Sequence, residues 1–242
     1  LMKEHNMSFS GGDEHSKTFM SLNYTDQDGI IKTSNFERIG ARLNWNYKKD
    51  RLSVDANVNI SYRGEQFART GGANTSGGVI ATSIYLPPTT PIRNEDGSYF
   101  SPAAVDLDNP FNILEGIEST AKRHRTMAKF KVGYEVLDGL EASLALYGDV
   151  RNDKFDFFRS RQTIPGAAVD GSASISNNKY EDYTLEALLN YKINLNDDNE
   201  LSAMAGYTFQ KFMYEGSFAS AEGFPADELN AYNLGSGEKE KF

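Results

Sequence analysis

Apolar and polar residues alternate strictly in several segments of the chain. Between Arg51 and Tyr62, every second residue is apolar, and the residues between them are serine, aspartate or asparagine. Because successive side chains of a β-strand point to opposite faces, this segment predicts a strand with one apolar and one polar face. The segment Ile39 to Tyr47 repeats the pattern, and Lys48-Lys49-Asp50 form a tight connection. Together the two segments predict a β-hairpin.

Three further hairpins follow from the same pattern. The first pairs a segment around Met7 and Phe9 with one around Met20, Leu22 and Tyr24. The next joins residues 127–136 to 140–147 through Asp138-Gly139, which accept a positive φ. The last joins residues 183–195 to 201–209 through the turn 196–199. The sequence therefore predicts an all-β, antiparallel structure of about eight strands in four hairpins.

The connections between these strands alternate between short and long. The predicted long connections are 63–123, 149–180 and 215–242, whereas the turns inside the hairpins are only a few residues long. Outer-membrane β-barrels have short turns on the periplasmic side, long loops outside, an apolar face toward lipid and a polar face toward the lumen. A soluble sandwich also alternates but has no reason to place its long loops at one end. The pattern therefore predicts a transmembrane barrel segment with extracellular loops.

Composition agrees with this prediction. The mean hydropathy is -0.55, and no apolar run approaches the roughly 20 residues of a membrane-spanning helix. The formal charge of -9 argues against nucleic acid as a partner, because phosphate binding needs a clustered basic surface. Aromatic residues on the predicted apolar face suit the girdles at lipid interfaces: Trp45, Tyr47, Tyr62, Tyr134, Tyr191, Tyr207 and Phe209.

The long loops carry the candidate contact residues for a ligand or for a partner that covers the barrel. A long loop in a compact domain is usually functional, and aromatic rings in it are able to stack on a sugar or pack on a partner. The candidates are Tyr85, Asn94, Asp96, Tyr99, Phe100 and Phe224. Asp106, Asp108 and Asn109 have oxygen ligands for calcium, but their spacing differs from an EF-hand, so a solvated turn is the favoured interpretation.

Catalytic motifs are absent from the sequence. His5, His15 and His124 show no metal-ligand spacing, and no Gly-x-Ser-x-Gly nucleophile motif is present. With no cysteine, thiolate chemistry is excluded as well. We therefore expect a protein that is not an enzyme and has no catalytic, cofactor or metal site.

Five segments resemble SusC/RagA-type TonB-linked outer-membrane transporters. They are residues 5–45, 91–100 (PIRNEDGSYF), 109–116 (NPFNILEG), 134–149 (YEVLDGLEASLALYGD) and 205–229. The resemblance spans nearly the whole chain and rests on an ordered series of turns and loop phrases. It implies a middle part of a barrel of about 22 strands, with the plug domain, TonB box, signal peptide and closing strands outside this chain.

The resemblance also implies a function and partners. Such transporters sit in the outer membrane of Bacteroidetes-type Gram-negative bacteria and import glycan or peptide pieces. A SusD-like surface lipoprotein covers the barrel, and TonB, ExbB and ExbD supply energy through parts of the protein outside this chain. Two alternatives stay open at this point: a self-contained eight-stranded barrel acting as an adhesin or structural protein, and a soluble carbohydrate-binding sandwich.

Overall fold

Nine antiparallel strands form a single open sheet, in which each strand pairs with its neighbour in sequence. The computed structural model describes residues 1–71, 78–102, 107–196 and 199–241. The strands are β1 Met2–Gly12, β2 Ser16–Asp28, β3 Asn35–Lys49, β4 Leu52–Gln66, β5 Ile117–Leu137, β6 Leu140–Arg159, β7 Ser172–Asn196, β8 Asn199–Glu222 and β9 Lys239–Lys241. Three short helices lie between strands: α1 Val79–Tyr85, α2 Pro110–Gly116 and α3 Ile164–Ala167. Two 3-10 helices, Asp227–Tyr232 and Leu234–Ser236, precede β9.

All four predicted hairpins are confirmed. Met7 lies opposite Leu22 in the first hairpin, and Leu43 lies opposite Val58 in the second. In the third hairpin Gly139 has a φ of 78°, a conformation that costs glycine little because it has no Cβ. Asp197 and Asp198 of the fourth predicted turn lie outside the described residues.

The apolar positions of neighbouring strands form one continuous face. A representative row crosses six strands in register: Tyr47, Val54, Val132, Leu144, Ala187 and Tyr207. From Leu52 to Tyr62, β4 rises about 33 Å, or about 25 Å of height at the tilt typical of barrels. This equals the height of the lipid-facing band in outer-membrane barrels. We call this surface the apolar belt.

The predicted loop boundaries are wrong, because the strands continue well beyond the belt. The connections are 67–116, 160–171 and 223–238, instead of 63–123, 149–180 and 215–242. Above the belt the outward face carries polar residues such as Lys122 and Asn152, so both faces are polar and the alternation disappears from the sequence. The backbone ladder continues nevertheless, and residue 239 begins a short ninth strand against β8.

The aromatic residues of the belt lie on the predicted face, but two of them lie away from the strand ends where a girdle would place them. Tyr207 and Phe209 lie in the middle of β8, because that strand continues to Glu222. Trp45 and Tyr47 stand near the end of β3 with ring centroids 6.1 Å apart. These two residues are placed as a girdle requires.

Buried side chains concentrate at the end of the sheet that carries the longer connections. One cluster packs segment 223–238 against the outward face of β6, β7 and β8: Phe158, Ala173, Ala221, Phe224 and Ala231. A second cluster packs α1 and α2 against the start of β5: Val79, Ile113 and Ile117. None of the described helices has the length and apolar character needed to cross a membrane.

Candidate ligand-binding site

The three longer connections after β4, β6 and β8 are joined into one layer by buried polar contacts. Asp108 accepts hydrogen bonds from the Asn112 side chain at 2.6 Å and from the Ile164 backbone N–H at 2.9 Å. Asn112 also donates to the Gln162 carbonyl at 2.7 Å. These bonds fix the connection after β4 to the one after β6.

Asp227 makes the second junction in this layer. Its Oδ2 accepts from the Ser160 hydroxyl at 2.7 Å, and its Oδ1 lies 3.2 Å from the Arg161 Nε. The backbone N–H of Phe224 donates to the Asp170 carbonyl at 2.8 Å. The connection after β8 is therefore attached to the connection after β6 by side-chain and backbone bonds.

The solvated turn expected at Asp106, Asp108 and Asn109 is wrong for the two residues that are described. Asp108 is 1% exposed and Asn109 is 3% exposed, whereas Asp106 lies outside the described residues. Asn109 caps α2 by accepting from the Phe111 N–H at 3.0 Å, and it donates to the Phe100 carbonyl at 3.0 Å. The Asp108 contact with Ile164 joins two separate connections, so local spacing does not show it.

Two of the predicted contact residues, Asn94 and Asp96, stabilise a turn. Asp96 accepts from the Ser98 backbone N–H at 2.9 Å and from its hydroxyl at 2.6 Å, and these two bonds lower the pKa of Asp96. The Asn94 amide donates to the Ser98 hydroxyl at 2.9 Å. Gly97 closes the turn with a φ of 86°. Both side chains have their hydrogen bonds within the loop.

Tyr99 belongs to a small charged group at the surface of the same loop. The Arg93 guanidinium lies 4.2 Å from the centre of the Tyr99 ring, and its Nη2 donates to the Tyr99 hydroxyl at 2.8 Å. The Tyr99 hydroxyl donates to Glu115. Burial, together with this bond, raises the pKa of Tyr99 to about 12, so the phenol is neutral at physiological pH.

The remaining predicted residues are not brought together. Tyr85 ends α1 and is 67% exposed, Phe100 is half-buried, and Phe224 is 2% exposed. The Phe224 ring packs edge-on against Phe158, with centroids 6.3 Å apart. Phe224 therefore holds its loop onto the sheet. Of the six predicted residues, Asn94, Asp96, Tyr99 and Phe100 lie in one loop, and Tyr85 and Phe224 are separate from it.

Strand register assembles an arginine group on the polar face that the loop candidates did not include. Arg38 on β3 lies opposite Arg63 on β4, and Arg63 lies opposite Arg123 on β5. One step along the strands, Arg125 lies opposite Arg151. We call Arg38, Arg63 and Arg123 the arginine row. Like charges directly opposite in a sheet repel each other, so the row needs negative partners.

The structure supplies the arginine row with a single shared carboxylate. Glu65, whose side chain is 11% exposed, contacts Arg63 and lies 3.8 Å from Arg123. Within the described part of the chain, Arg38 has no carboxylate at ion-pair distance. The Nε atoms of Arg63 and Arg123 are buried and lack a hydrogen-bond partner in the same part of the chain. Three guanidinium groups thus share one carboxylate.

The arginines beside the row are compensated. The Arg125 Nε donates to the Asp149 carboxylate at 2.9 Å. The Arg151 Nε lies 3.3 Å from Asp153, whose side chain is 8% exposed. Arg125 and Arg151 thus each have a carboxylate partner, which Arg38 lacks in the described residues.

Aromatic rings continue the same polar face toward β8. The Arg151 guanidinium lies 4.1 Å from the centre of the Tyr180 ring, and Tyr180 lies 5.0 Å from Tyr214. Tyr214 is 56% exposed, and its neighbours Phe212 and Phe218 on this face are 63% and 58% exposed. The interior of an outer-membrane barrel is usually polar, so exposed rings there indicate a contact surface. We call the row together with Arg151, Tyr180 and Tyr214 the arginine–aromatic site.

The individual arginines are visible in the sequence, but their proximity is not. Arg38 and Arg123 are far apart in the chain, and the absence of a basic stretch suggested no basic surface. The available signal was the position of Arg38 and Arg63 on the polar side of their strands, just beyond the last apolar position. No group of three or more histidine, aspartate or glutamate side chains in the described residues is arranged to hold a metal ion.

Comparison with known proteins adds the family to this geometry. No family model matches the chain. The chain is 32% identical over 242 residues to the TonB-dependent receptor P3 of Formosa agariphila, covering 96% of this chain and 24% of that protein. It is 34% identical over 98 residues to the TonB-dependent receptor SusC of Bacteroides thetaiotaomicron, covering 40% of this chain and 9% of that one. The chain thus spans about a quarter of the first relative's length.

The fold matches a solved transporter. The structure of the RagAB peptide transporter superposes with a TM-score of 0.80 at 20% identity, over 98% of this chain and 27% of that chain. The fold and the relatives define a barrel segment of a TonB-dependent outer-membrane receptor. Within that class, the chain is a segment of the SusC/RagA type.

Proposed function

We propose that this chain forms part of the wall and the external loops of a transporter that imports nutrient pieces across the outer membrane. The observation that carries the proposal is the pairing of a continuous apolar belt with a charged, aromatic opposite face on the same strands. A receptor that only anchored a surface domain would not need a second face with exposed rings and a row of guanidinium groups.

Glycan pieces are the first choice of cargo, and peptides are the second. Exposed aromatic rings at the long-loop end of the polar face suit the apolar faces of sugar rings. Amide side chains line the same face nearer the turns and are able to donate to and accept from hydroxyl groups: Asn44, Asn46, Asn57 and Asn59. Peptides remain the second choice because the solved structural match is named a peptide transporter.

A SusD-like surface lipoprotein and the TonB, ExbB and ExbD proteins complete the proposal. The bonded layer of connections at one end of the sheet offers a rigid platform for a covering lipoprotein. We place this layer outside the cell, since long loops of outer-membrane barrels are extracellular. Energy coupling would use parts of the protein beyond this segment.

Gene deletion in the native organism tests the proposed function. The strain lacking the complete transporter is grown on single polysaccharides and on peptides, and uptake of fluorescent fragments is measured. We expect loss of growth and uptake on one nutrient class, with restoration by the intact gene. A tagged transporter should co-purify a lipid-anchored surface protein in equal amounts. Unchanged uptake of every nutrient, together with loss of surface adhesion, would favour the adhesin alternative.

A further inference from the structure

We propose that the arginine–aromatic site binds acidic oligosaccharides, meaning sugars that carry carboxylate or sulfate groups. This inference rests on the proposed transport function and names its substrate class. It starts from the charge balance of the arginine row. Arg38, Arg63 and Arg123 lie side by side on three neighbouring strands, and Glu65 contacts Arg63 and Arg123. Asp153 lies directly opposite Arg123 but is paired with Arg151, so the row keeps an excess of two positive charges.

Shielding of single donor atoms makes this excess significant, while the Arg63 and Arg123 side chains as a whole are 41% and 32% exposed. The Nε atoms of Arg63, Arg123 and the neighbouring Arg151 are shielded from water and have no hydrogen-bond partner in the described residues, and the same holds for Glu65 Oε2 and Asp153 Oδ1. Buried donors are rarely left without partners, because each costs free energy when it loses water without a replacement. An anionic group placed against the row would supply acceptors and neutralise the charge. A guanidinium group presents paired N–H donors that match carboxylate and sulfate oxygens.

The aromatic part of the site favours a sugar over an acidic peptide. Tyr180 and Tyr214 stand 5.0 Å apart beside Arg151, and the exposed Phe212 and Phe218 flank Tyr214 on the same strand. Rings in such a row suit the flat apolar faces of successive sugar units. The neutral side chains of Asn178 and Gln210 lie beside these rings on the same face, and the Gln210 amide donates to the Asp182 carboxylate, which lies opposite Phe212. The rings suit the sugar faces, the amides suit the hydroxyl groups and the guanidinium groups suit the acidic groups of such a glycan.

The position of the site agrees with a path for ligand entry. It lies above the apolar belt, close to the end of the strands that carries the joined connections. Phe157 of β6 lies on the same face and packs against the cluster of Val79, Ile113 and Ile117, which joins α1 and α2 to the start of β5. A ligand that passes the external loops would meet the arginine–aromatic site before the amide-rich lower part of the face.

The test uses the complete transporter with its co-purifying surface lipoprotein. The probes are oligogalacturonate, oligomannuronate and a sulfated chondroitin oligosaccharide, each compared with its carboxyl-reduced or desulfated derivative. Dissociation constants are measured by titration for the wild type and for Arg38→Gln and Arg123→Gln. We expect at least one acidic probe to bind about tenfold tighter than its neutral derivative, with most of that preference lost in each variant, since hydrogen bonds to charged groups are the strong ones.

Two matched variants make the result specific. Lys131→Gln removes one positive charge from the polar face of β5 outside the site, and its binding should equal that of the wild type. Arg38→Lys retains the charge but not the paired donors, and it should recover part of the preference. Arg38→Gln is the safest test of binding, because Arg38 is exposed and its loss leaves no buried acid unpaired.

Several outcomes would overturn the inference. Equal binding of all acidic probes and their neutral derivatives would contradict it, and so would tighter binding of an acidic peptide than of every acidic sugar. Reduced stability of Arg38→Gln with an unchanged preference for the acidic probes would assign the row to contacts inside the barrel. Uptake of neutral glycans by the wild type would then leave the proposed transport function standing while removing the acidic substrate. Failure to take up any nutrient would remove the transport function itself.

Discussion

Lys122 and Arg123 are neighbours in sequence but lie on opposite faces of β5 in different electrostatic surroundings. Arg123 is on the polar face, half-buried, beside the buried Glu65 and 5.4 Å from the Phe155 ring centre. Lys122 is exposed on the outward face, directly opposite Lys154. Both residues lie opposite a like charge, but Arg123 has the Glu65 carboxylate nearby, whereas Lys122 has no carboxylate at ion-pair distance in the described residues. Above the belt, the polar face therefore places a carboxylate between its cations, whereas the outward face leaves Lys122 without one.

The largest expected effect comes from removing the cover of the outward face. Phe224→Ala should leave a cavity beside Phe158 and weaken the attachment of segment 223–238 by about 3–5 kcal/mol, as Phe-to-Ala changes in cores do. Amide hydrogen exchange in residues 224–236 of the complete transporter measures the loss. Tyr232→Ala, which changes an 80% exposed ring in the same segment, should leave exchange unchanged. Equal protection in wild type and Phe224→Ala would refute the packing role.

On the polar face, the next effect comes from the buried carboxylate of the arginine row. Glu65→Gln should lower the free energy of unfolding by about 1–3 kcal/mol, because Arg63 and Arg123 lose their shared partner. Urea unfolding of the complete transporter in detergent measures the change. Glu200→Gln serves as the control, since its ion pair with Lys192 is exposed and contributes little. A stable Glu65→Gln protein would show that Glu65 does not balance the row.

A change in the opposite direction is expected on the outward face. Lys122→Gln should stabilise the protein by about 0.2–1 kcal/mol, because it removes a like-charge pair with Lys154. Lys154 keeps its contact with Asp156 at 3.1 Å. Urea unfolding in an uncharged detergent measures this change in the free energy of unfolding. Under the same conditions, Arg123→Gln should destabilise the protein. If both variants shift stability the same way, the contrast between the faces is wrong.

The smallest expected effect concerns the loop group of Arg93, Tyr99 and Glu115. Folding raises the pKa of Tyr99 to about 12, so folding favours its neutral form. Its contribution to stability is therefore complete below about pH 10 and is lost as the pH rises through about 12. The difference in tyrosinate absorbance between wild type and Tyr99→Phe should show one phenol ionising near pH 12. At neutral pH the variant should change stability by less than about 0.5 kcal/mol. A difference spectrum centred near pH 10 would contradict the burial and hydrogen bonding of Tyr99.

Prediction from the sequence succeeded in the apolar belt, where the contrast between lipid and the polar interior alone decides the pattern. In the belt, lipid on one side and a polar interior on the other require period-two alternation, so residues 52–62 reveal their strand and face directly. Above the belt both faces are polar, and the strand extensions of β5 to β8 were predicted as loops. In the loops, Asp108 looked solvated because its partner Ile164 lies in the next long connection, and the sequence does not show that contact.

The candidate site divides in the same way. The loop position of Asn94, Asp96 and Tyr99 was predictable because turn residues and aromatic residues mark a loop locally, and their role in ligand contact stays a prediction. The arginine row was missed because Arg63 and Arg123 were predicted as the ends of the loop 63–123, whereas both lie on strands. Only the register of three consecutive strands turns Arg38, Arg63 and Arg123 into neighbours.

The sequence by itself determined the strands of the belt, their hairpins, the face of each residue and the resemblance to a transporter family. These properties depend on side-chain alternation and turn chemistry, which act over a few residues. Tertiary structure alone decided how far the strands continue, which loops join and which charges meet. Those properties depend on hydrogen-bond register and burial between segments distant in sequence, and no local pattern records them.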